Sequence, residues 1–313
     1  MEGKAVMGKQ SFFLCLLLIS LLIFNSSALA AAEEKIELND QAINLENDEQ
    51  IMELKEEIEK KSEIEKDMII GSTVVFLNGE EDQIRSRESN LGNLITDAIV
   101  NKAKVHLAVI NSRTINSSIN KGLINIRNIR EVLPAKDEVI IKKIKGSELL
   151  KALKHGVSKY PDTASFFPQL SGIKLIFAEV QNGENEILRA SINYEQIKKN
   201  KNYLMATNDF LADGGDGYEE FKEAEKIENA GRLDQIFIDY LKQQEIIEEI
   251  QMNRIIPVRK KDGNYVYQVK QGDYLYLIAQ KFSTTVKEIM AANGLENRSL
   301  IFQGQELIIP HLR

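Results

Sequence analysis

The sequence has 313 residues, a net charge of −7, three histidines and one cysteine. An acidic chain without a basic stripe makes a poor partner for nucleic acid, so that class is set aside. The lone cysteine, Cys15, lies in the first apolar run, so an exported form without that run has no disulfide and relies on packing alone.

Met1–Ala30 reads as a secretory signal. Lys4 and Lys9 form its basic end, Ser11–Phe24 is an apolar run shorter than a membrane span, and Ala28-Leu29-Ala30 is a small-x-small cleavage pattern. A retained membrane anchor is the alternative reading of the same run. Cys15 follows Leu14 rather than a small residue, which argues against lipid attachment there. Cleavage would remove Glu2, Lys4 and Lys9 and change the net charge from −7 to −8.

Residues 31–48 are polar and acidic, with no periodicity that predicts packing. From Glu49 to Asp67 the composition turns to Glu, Lys, Ile and Leu. Ile51, Leu54, Ile58 and Ile64 recur near helical spacing, which predicts a charged amphipathic helix, at minimum a solvated spacer. Ser72–Leu77 is strand-like. Leu91, Leu94, Ile95, Ala98 and Ile99 form an apolar helical face. Val105–Ile110 and Asp137–Lys145 read as strands and Ser147–Ser158 as a helix. Gly172–Phe177 and Ile187–Ile192 are expected to pair across the turn at residues 181–184.

Tyr203–Thr207 reads as a buried strand. It runs into Asn208-Asp209-Phe210-Leu211-Ala212-Asp213-Gly214-Gly215-Asp216-Gly217-Tyr218. Three glycines allow a sharp turn and a close approach to a partner. Phe210 offers a ring that can stack on a flat base, and Asp216 a carboxylate that can accept from a sugar diol. Taken alone, the string is better explained as a plain Gly/Asp-rich turn after a strand. Read as a calcium loop, Asp209, Asp213, Gly214 and Glu220 fall on suitable positions, but Leu211 occupies a ligand position and a strand replaces the leading helix. Leu233–Ile246 is a closing helix.

Two further strings give that turn a context. One is Arg87-Glu88-Ser89-Asn90-Leu91-Gly92-Asn93-Leu94-Ile95-Thr96-Asp97-Ala98. The other is Val132-Leu133-Pro134, followed beyond a strand by Lys145-Gly146-Ser147-Glu148-Leu149-Leu150. In this order and spacing the region from Gly71 to Val258 resembles the C-terminal, substrate-binding domain of the secreted 5'-nucleotidase family. The resemblance implies that Arg87 faces a substrate phosphate, that Asn111 contacts base or phosphate, that Phe210 is one of two rings around the base, and that Asp216 takes the ribose hydroxyls. Two departures weaken such a site. Asn116 stands where the family has an arginine, and an amide cannot make the charged bidentate contact to phosphate. Ala135 stands where the family has the second phenylalanine. Arg113 restores some positive charge.

After the polar stretch 259–264, read as a linker, come Tyr265–Asp273, two short helical segments around Ile278 and Ile289, and Gly304–Pro310. This stretch resembles a LysM module, in the order strand, helix, helix, strand. The resemblance implies a shallow glycan groove at Gly272, Asp273, Tyr274 and Leu275 on one side and Asn297, Leu300 and Ile301 on the other. Tyr274 replaces the family's usual threonine. A LysM fold that only packs against its neighbour is the alternative.

The resulting division is 1–30 signal, 31–68 leader and helix, 69–258 an α/β (α+β) domain, 259–264 linker and 265–311 a small βααβ module. Family members hydrolyse nucleotides at a two-metal site in an N-terminal domain. His106, His155 and His311 have no ligand spacing, no nucleophilic triad is evident, and no cofactor is expected in this chain. Three readings follow: a wall-bound binding module held on peptidoglycan or a related N-acetylglucosamine glycan, with a nucleoside or nucleotide as its second ligand; a hydrolase completed by a separate metallophosphoesterase domain with divalent metals; or a structural spacer. All three place the protein outside the cell, on a bacterial wall.

Overall fold

The computed structural model describes residues 49–181, 183–297 and 299–312. The expected signal, Met1–Ala30, and the acidic leader to residue 48 lie outside the described residues. The chain divides into two compact units, 1–60 and 61–313. In chain order the elements are α1 (Glu49–Lys66), β1 (Ile69–Thr73), α2 (Glu81–Ile84), α3 (Asn90–Ala103), β2 (Leu107–Asn111), β3 (Gly122–Asn125), α4 (Ile126–Val132), β4 (Glu138–Lys145) and α5 (Gly146–Gly156). Next come β5 (Pro168–Ser171), β6 (Lys174–Glu179), β7 (Glu186–Ile192), β8 (Glu195–Gln196), β9 (Asn202–Asn208), α6 (Asp209–Ala212), α7 (Glu219–Glu223), β10 (Glu225–Arg232) and α8 (Leu233–Gln244). The chain closes with β11 (Ile246–Ile247), β12 (Ile255–Lys261), β13 (Asn264–Gln268), α9 (Leu275–Phe282), α10 (Val286–Asn293) and β14 (Glu306–Ile308).

A five-stranded mixed sheet, ordered β10-β4-β9-β2-β5, forms the centre. Side chains alternate across it, as strand geometry requires. Ala108 and Ile110 of β2 join a core built with α3, α4 and α8. Leu107 and Val109 join a second core with Leu149 and Leu153 of α5 and with Leu175 and Phe177 of β6. A small sheet, β11-β1-β3, lies beside the first core.

β6 alternates in the same way within a six-stranded sheet ordered β14-β13-β12-β6-β7-β8. Its other face, Ile176 and Ala178, packs with Ile256 and Val258 of β12 against Tyr267, Leu275, Ile278, Phe282 and Leu307 of the C-terminal module. β12 pairs with β6 in parallel, from Ile255↔Leu175 to Arg259↔Glu179, and with β13 in antiparallel. The module is therefore an extension of the domain's sheet, with a shared apolar layer.

Three boundaries differ from expectation. Residues 259–264, read as a linker, are the end of β12, a turn and the start of β13. Asp262 and Gly263 both take positive φ, 49° and 77°, the geometry of a tight hairpin turn. The first strand spans Ile69–Thr73 rather than Ser72–Leu77, because the Thr73 hydroxyl bonds to Val75 O at 2.8 Å and turns the chain. The closing helix stops at Gln244; Glu245 at φ 59° diverts Ile246 into β11, parallel to β1. The C-terminal order β13, α9, α10, β14 is strand, helix, helix, strand, as expected.

Candidate functional site

The C-terminal ends of β2 and β9 lie side by side in parallel and carry Asn111 and Asn208. Asn111 is buried, and its Nδ2 donates to Asp216 Oδ2 at 2.6 Å. A carboxylate only accepts, so the amide orientation is fixed: Oδ1 faces inward. There it accepts from Thr114 Oγ1 at 2.7 Å and Asn208 Nδ2 at 3.3 Å. Asn111 is thus committed on both sides. It holds Asp216 rather than presenting itself to a ligand. Asp137 closes the row, accepting from Asn208 Nδ2 at 3.4 Å. Burial pushes the Asp137 carboxyl above its usual range, and the Asn208 bond opposes that shift.

The glycine-rich turn is anchored from several directions. Asp216 adopts φ 53° between Gly214 at 89° and Gly217 at 83°. Lys142, buried on β4, donates to Ala212 O at 2.7 Å and Phe221 O at 2.6 Å, so it binds the carbonyl ends of α6 and α7. Burial pushes its ammonium below the usual lysine range, with Asp213 opposing. Tyr218 is fully buried and donates to Phe166 O at 2.8 Å; burial raises its phenol strongly. Gly215 lies against Phe210: a Cβ there would sit 2.6 Å from ring atom Cζ. The ring stays 42% exposed, with the Arg113 guanidinium 5.8 Å from its centroid. The site thus offers an open aromatic face, a cation beside it and a fixed carboxylate.

Arg87 lies in the segment connecting α2 and α3. It is exposed, and its guanidinium donates to Gln83 Oε1 at 3.4 Å. The string that contains it is mainly an architectural lock. Glu88 Oε2 accepts from three consecutive main-chain N–H groups, Asn253 and Arg254 at 3.0 Å and Ile255 at 3.2 Å. Asn93 donates to Glu88 and to Gln251 O, and Asp97 takes Arg254 in a bidentate pair at 2.8 and 2.6 Å. Ser89 caps α3. Together these fix the entry of the chain into β12. Asn116 and Ala135, at the two departures, are both exposed.

In the C-terminal module the expected groove residues separate into two groups. Leu275 is 2% exposed and belongs to the core. Asp273 points inward: its Oδ2 accepts from Tyr267 Oη at 2.7 Å and Lys270 N at 2.8 Å, and its Oδ1 from Lys281 Nζ at 3.0 Å. Both side chains therefore serve the interior of the module, which leaves their main chain as the part that could meet a glycan. Ile301 is half-buried against the same core. Tyr274 and Leu300 are exposed, as are Gly272 and Asn297. Tyr276, just beyond Tyr274 in the chain, is exposed as well, and so is Phe302, which the groove expected from the sequence did not include. Exposed large apolar residues so close along the chain were the available signal.

The three histidines are all engaged. His106 Nδ1 accepts from Leu204 N, His155 Nε2 donates to Asp216 O, and His311 lies 3.6 Å from Glu288. Among the described residues no group of three or more His, Cys, Asp or Glu side chains is arranged to hold a metal ion.

Residues 69–223 match the family model of the 5'-nucleotidase C-terminal domain, and residues 267–310 that of the LysM domain. The chain carries both domains. Among curated proteins, it is 31% identical to the trifunctional nucleotide phosphoesterase protein YfkN of Bacillus subtilis over 70% of this chain and 16% of that one. It is 32% identical to the snake venom 5'-nucleotidase of Macrovipera lebetinus over 56% and 49%. Among solved structures, the 5'-nucleotidase precursor from Thermus thermophilus superposes with a TM-score of 0.59 at 31% identity, over 66% of this chain and 42% of that one. The NAD nucleotidase of Haemophilus influenzae shares the fold, with a TM-score of 0.59 at 18% identity over 68% and 42%. The chain spans less than half the length of each of these relatives. The nucleotidase-type domain supplies the Asn111–Asp216 and Phe210–Arg113 groups, and the LysM domain the exposed Tyr274, Leu300 and Phe302.

Proposed function

We propose that this protein is an exported, bacterial cell-wall-associated binding protein. Its LysM domain holds it on peptidoglycan or a related N-acetylglucosamine glycan, and its nucleotidase-type domain takes a nucleoside or nucleotide without hydrolysing it unaided. The observation that carries this reading is the fixed Asp216 carboxylate beside the open Phe210 face. Such a pair suits a ribose and a base: the ring stacks and the carboxylate accepts from the hydroxyls.

The test is calorimetric titration with adenosine and AMP. Binding is expected to be weak, since a single ring supplies the stacking. Phe210→Ala should cost about 1–3 kcal/mol of it. Asp216→Ala should cost a similar amount, about 1.5–3 kcal/mol for a charged hydrogen bond. Tight AMP binding that both substitutions leave intact would move the site elsewhere. Phosphate release from AMP by the purified protein, if it follows the protein through purification, would overturn the non-hydrolytic part. In a second reading a separately supplied metallophosphoesterase domain completes a nucleotidase, and the same assay with that domain added decides it.

For the wall-binding arm, substitution on the exposed face is cleaner than truncation. Leu300→Asp with Phe302→Asp leaves the module's core untouched and is expected to lower the fraction sedimenting with insoluble peptidoglycan about tenfold, the loss for one buried apolar side chain. Retention is expected to be modest in any case, since one module lacks avidity. Equal sedimentation of variant and parent would show that the LysM face is not the anchor.

A further inference from the structure

His155 lies outside every motif in the sequence, yet it touches the main chain of Asp216. Its Nε2 is 2.8 Å from Asp216 O. A carbonyl only accepts, so Nε2 carries the proton. Asp216 is thereby held twice: Asn111 Nδ2 bonds its carboxylate at 2.6 Å, and the imidazole bonds its carbonyl. The residue needs such support, because φ 53° is a conformation a β-carbon disfavours.

The surroundings are shaped for the imidazole. Its ring stacks on Phe166 with centroids 4.8 Å apart and meets Tyr218 edge-on at 5.1 Å. Tyr218 in turn bonds Phe166 O at 2.8 Å, which ties the two walls together. Gly217 is required on two counts. Its φ is 83°, and a Cβ there would stand 2.9 Å from His155 Cε1 and 3.0 Å from Nε2. The next residue on α5, Gly156, admits the Tyr218 hydroxyl, which would lie 2.6 Å from a Cβ. Gly217 thus makes room for the imidazole, and Gly156 for the tyrosine that forms its edge-on wall.

We propose that His155 is the positioning residue of Asp216 and sets the preference of this site for ligands with a ribose cis-diol. The proposal rests on the reading of Asp216 as the diol acceptor. A carboxylate distinguishes a diol from its deoxy counterpart only if its oxygens are held where both hydroxyls can reach. Releasing the Asp216 main chain therefore removes the discrimination before it removes binding through Phe210.

The experiment compares the parent with His155→Leu, which loses the donor, and His155→Gln, whose side-chain amide can donate from near the Nε2 position. Two quantities are read. One is hydrogen exchange at the main-chain amides of residues 213–218, which should speed up about tenfold in His155→Leu and stay near the parent's rate in His155→Gln. The other is the affinity ratio of adenosine to 2′,3′-dideoxyadenosine. That ratio should be about tenfold or more in the parent, near one in His155→Leu, and largely restored in His155→Gln. Should His155→Leu fail to fold, His155→Asn, polar and too short to reach the carbonyl, takes its place. Unchanged exchange in the variant lacking the donor overturns the clamp, whatever the ligand does. Faster exchange with an unchanged ratio overturns its role in specificity. If the parent binds no adenosine at all, the nucleoside reading fails and the proposed preference with it, while the exchange arm still decides whether His155 holds Asp216.

Discussion

Removing residues 265–313 is expected to unfold the nucleotidase-type domain rather than release it intact. Ile176, Ala178, Ile256 and Val258 are each no more than 3% exposed, and their cover is Tyr267, Leu275, Ile278 and Phe282 of the LysM domain. The Arg189 guanidinium also donates to Phe282 O at 2.9 Å. Deletion strips β12 of its β13 partner and leaves an apolar sheet face in water. Three large aliphatic side chains at about 1.5–3 kcal/mol each amount to about 4.5–9 kcal/mol. That is comparable with the whole stability of an ordinary domain, about 5–15 kcal/mol. Thermal melting followed separately by far-ultraviolet circular dichroism and by tyrosine fluorescence should give one coincident transition for the full chain. The truncated form should lack a cooperative transition. A truncated protein that melts cooperatively at the parent's temperature would show that the two domains are independent.

Asp273→Ala should destabilise the chain by about 3–5 kcal/mol, because it strands a buried ammonium. Lys281 is 9% exposed and depends on Asp273 Oδ1 and Tyr267 Oη, with its Nζ 4.7 Å from the Tyr267 ring centroid. Replacing both partners, as in Asp273→Ala with Lys281→Met, should cost less than Asp273→Ala alone, since no charge is then left without a partner. Denaturant melts of the two single variants and the double variant complete the cycle. Additive losses would mean that the pair is not coupled. The same cluster makes stability depend on pH. Burial alone would raise the Asp273 carboxyl, but the Lys270 N–H, the Tyr267 hydroxyl and Lys281 together hold it below its usual value. A carboxyl whose folded pKa is depressed contributes stability above its unfolded pKa. That contribution is lost as pH falls from about 4, the unfolded value, through the lower folded one. The Asp273→Ala variant should therefore lose less stability than the parent over that acid range.

Local pattern determined much of this protein. The alternation in β2 and the helical face of α3 follow from apolar spacing alone, and each packs as its period requires. The order of elements in the C-terminal module was expected from its resemblance to LysM, and the structure adds the capping box of Thr285 and Glu288 that starts α10. The turn at residues 208–218 announced itself through its glycines. Its neighbours did not. Asp216 meets Asn111 across 105 residues and His155 across 61, and the second contact is to a main-chain carbonyl, which has no residue identity to read. For the same reason Asn111 looked available in the sequence, whereas the distant Asp216 and Asn208, together with the nearby Thr114, bond its amide. Glu88 looked like a neighbour of a phosphate-binding arginine, yet its carboxylate is spent on the main chain of residues 253–255. Residues 259–264 are polar and contain a glycine, so they read as a linker. Their strand character comes from β6 and β13, because backbone hydrogen bonds between strands depend on who lies alongside and only weakly on side-chain type. Sequence periodicity reports which face of an element is apolar; only the fold decides what that face, or a buried amide or carboxylate, is packed against.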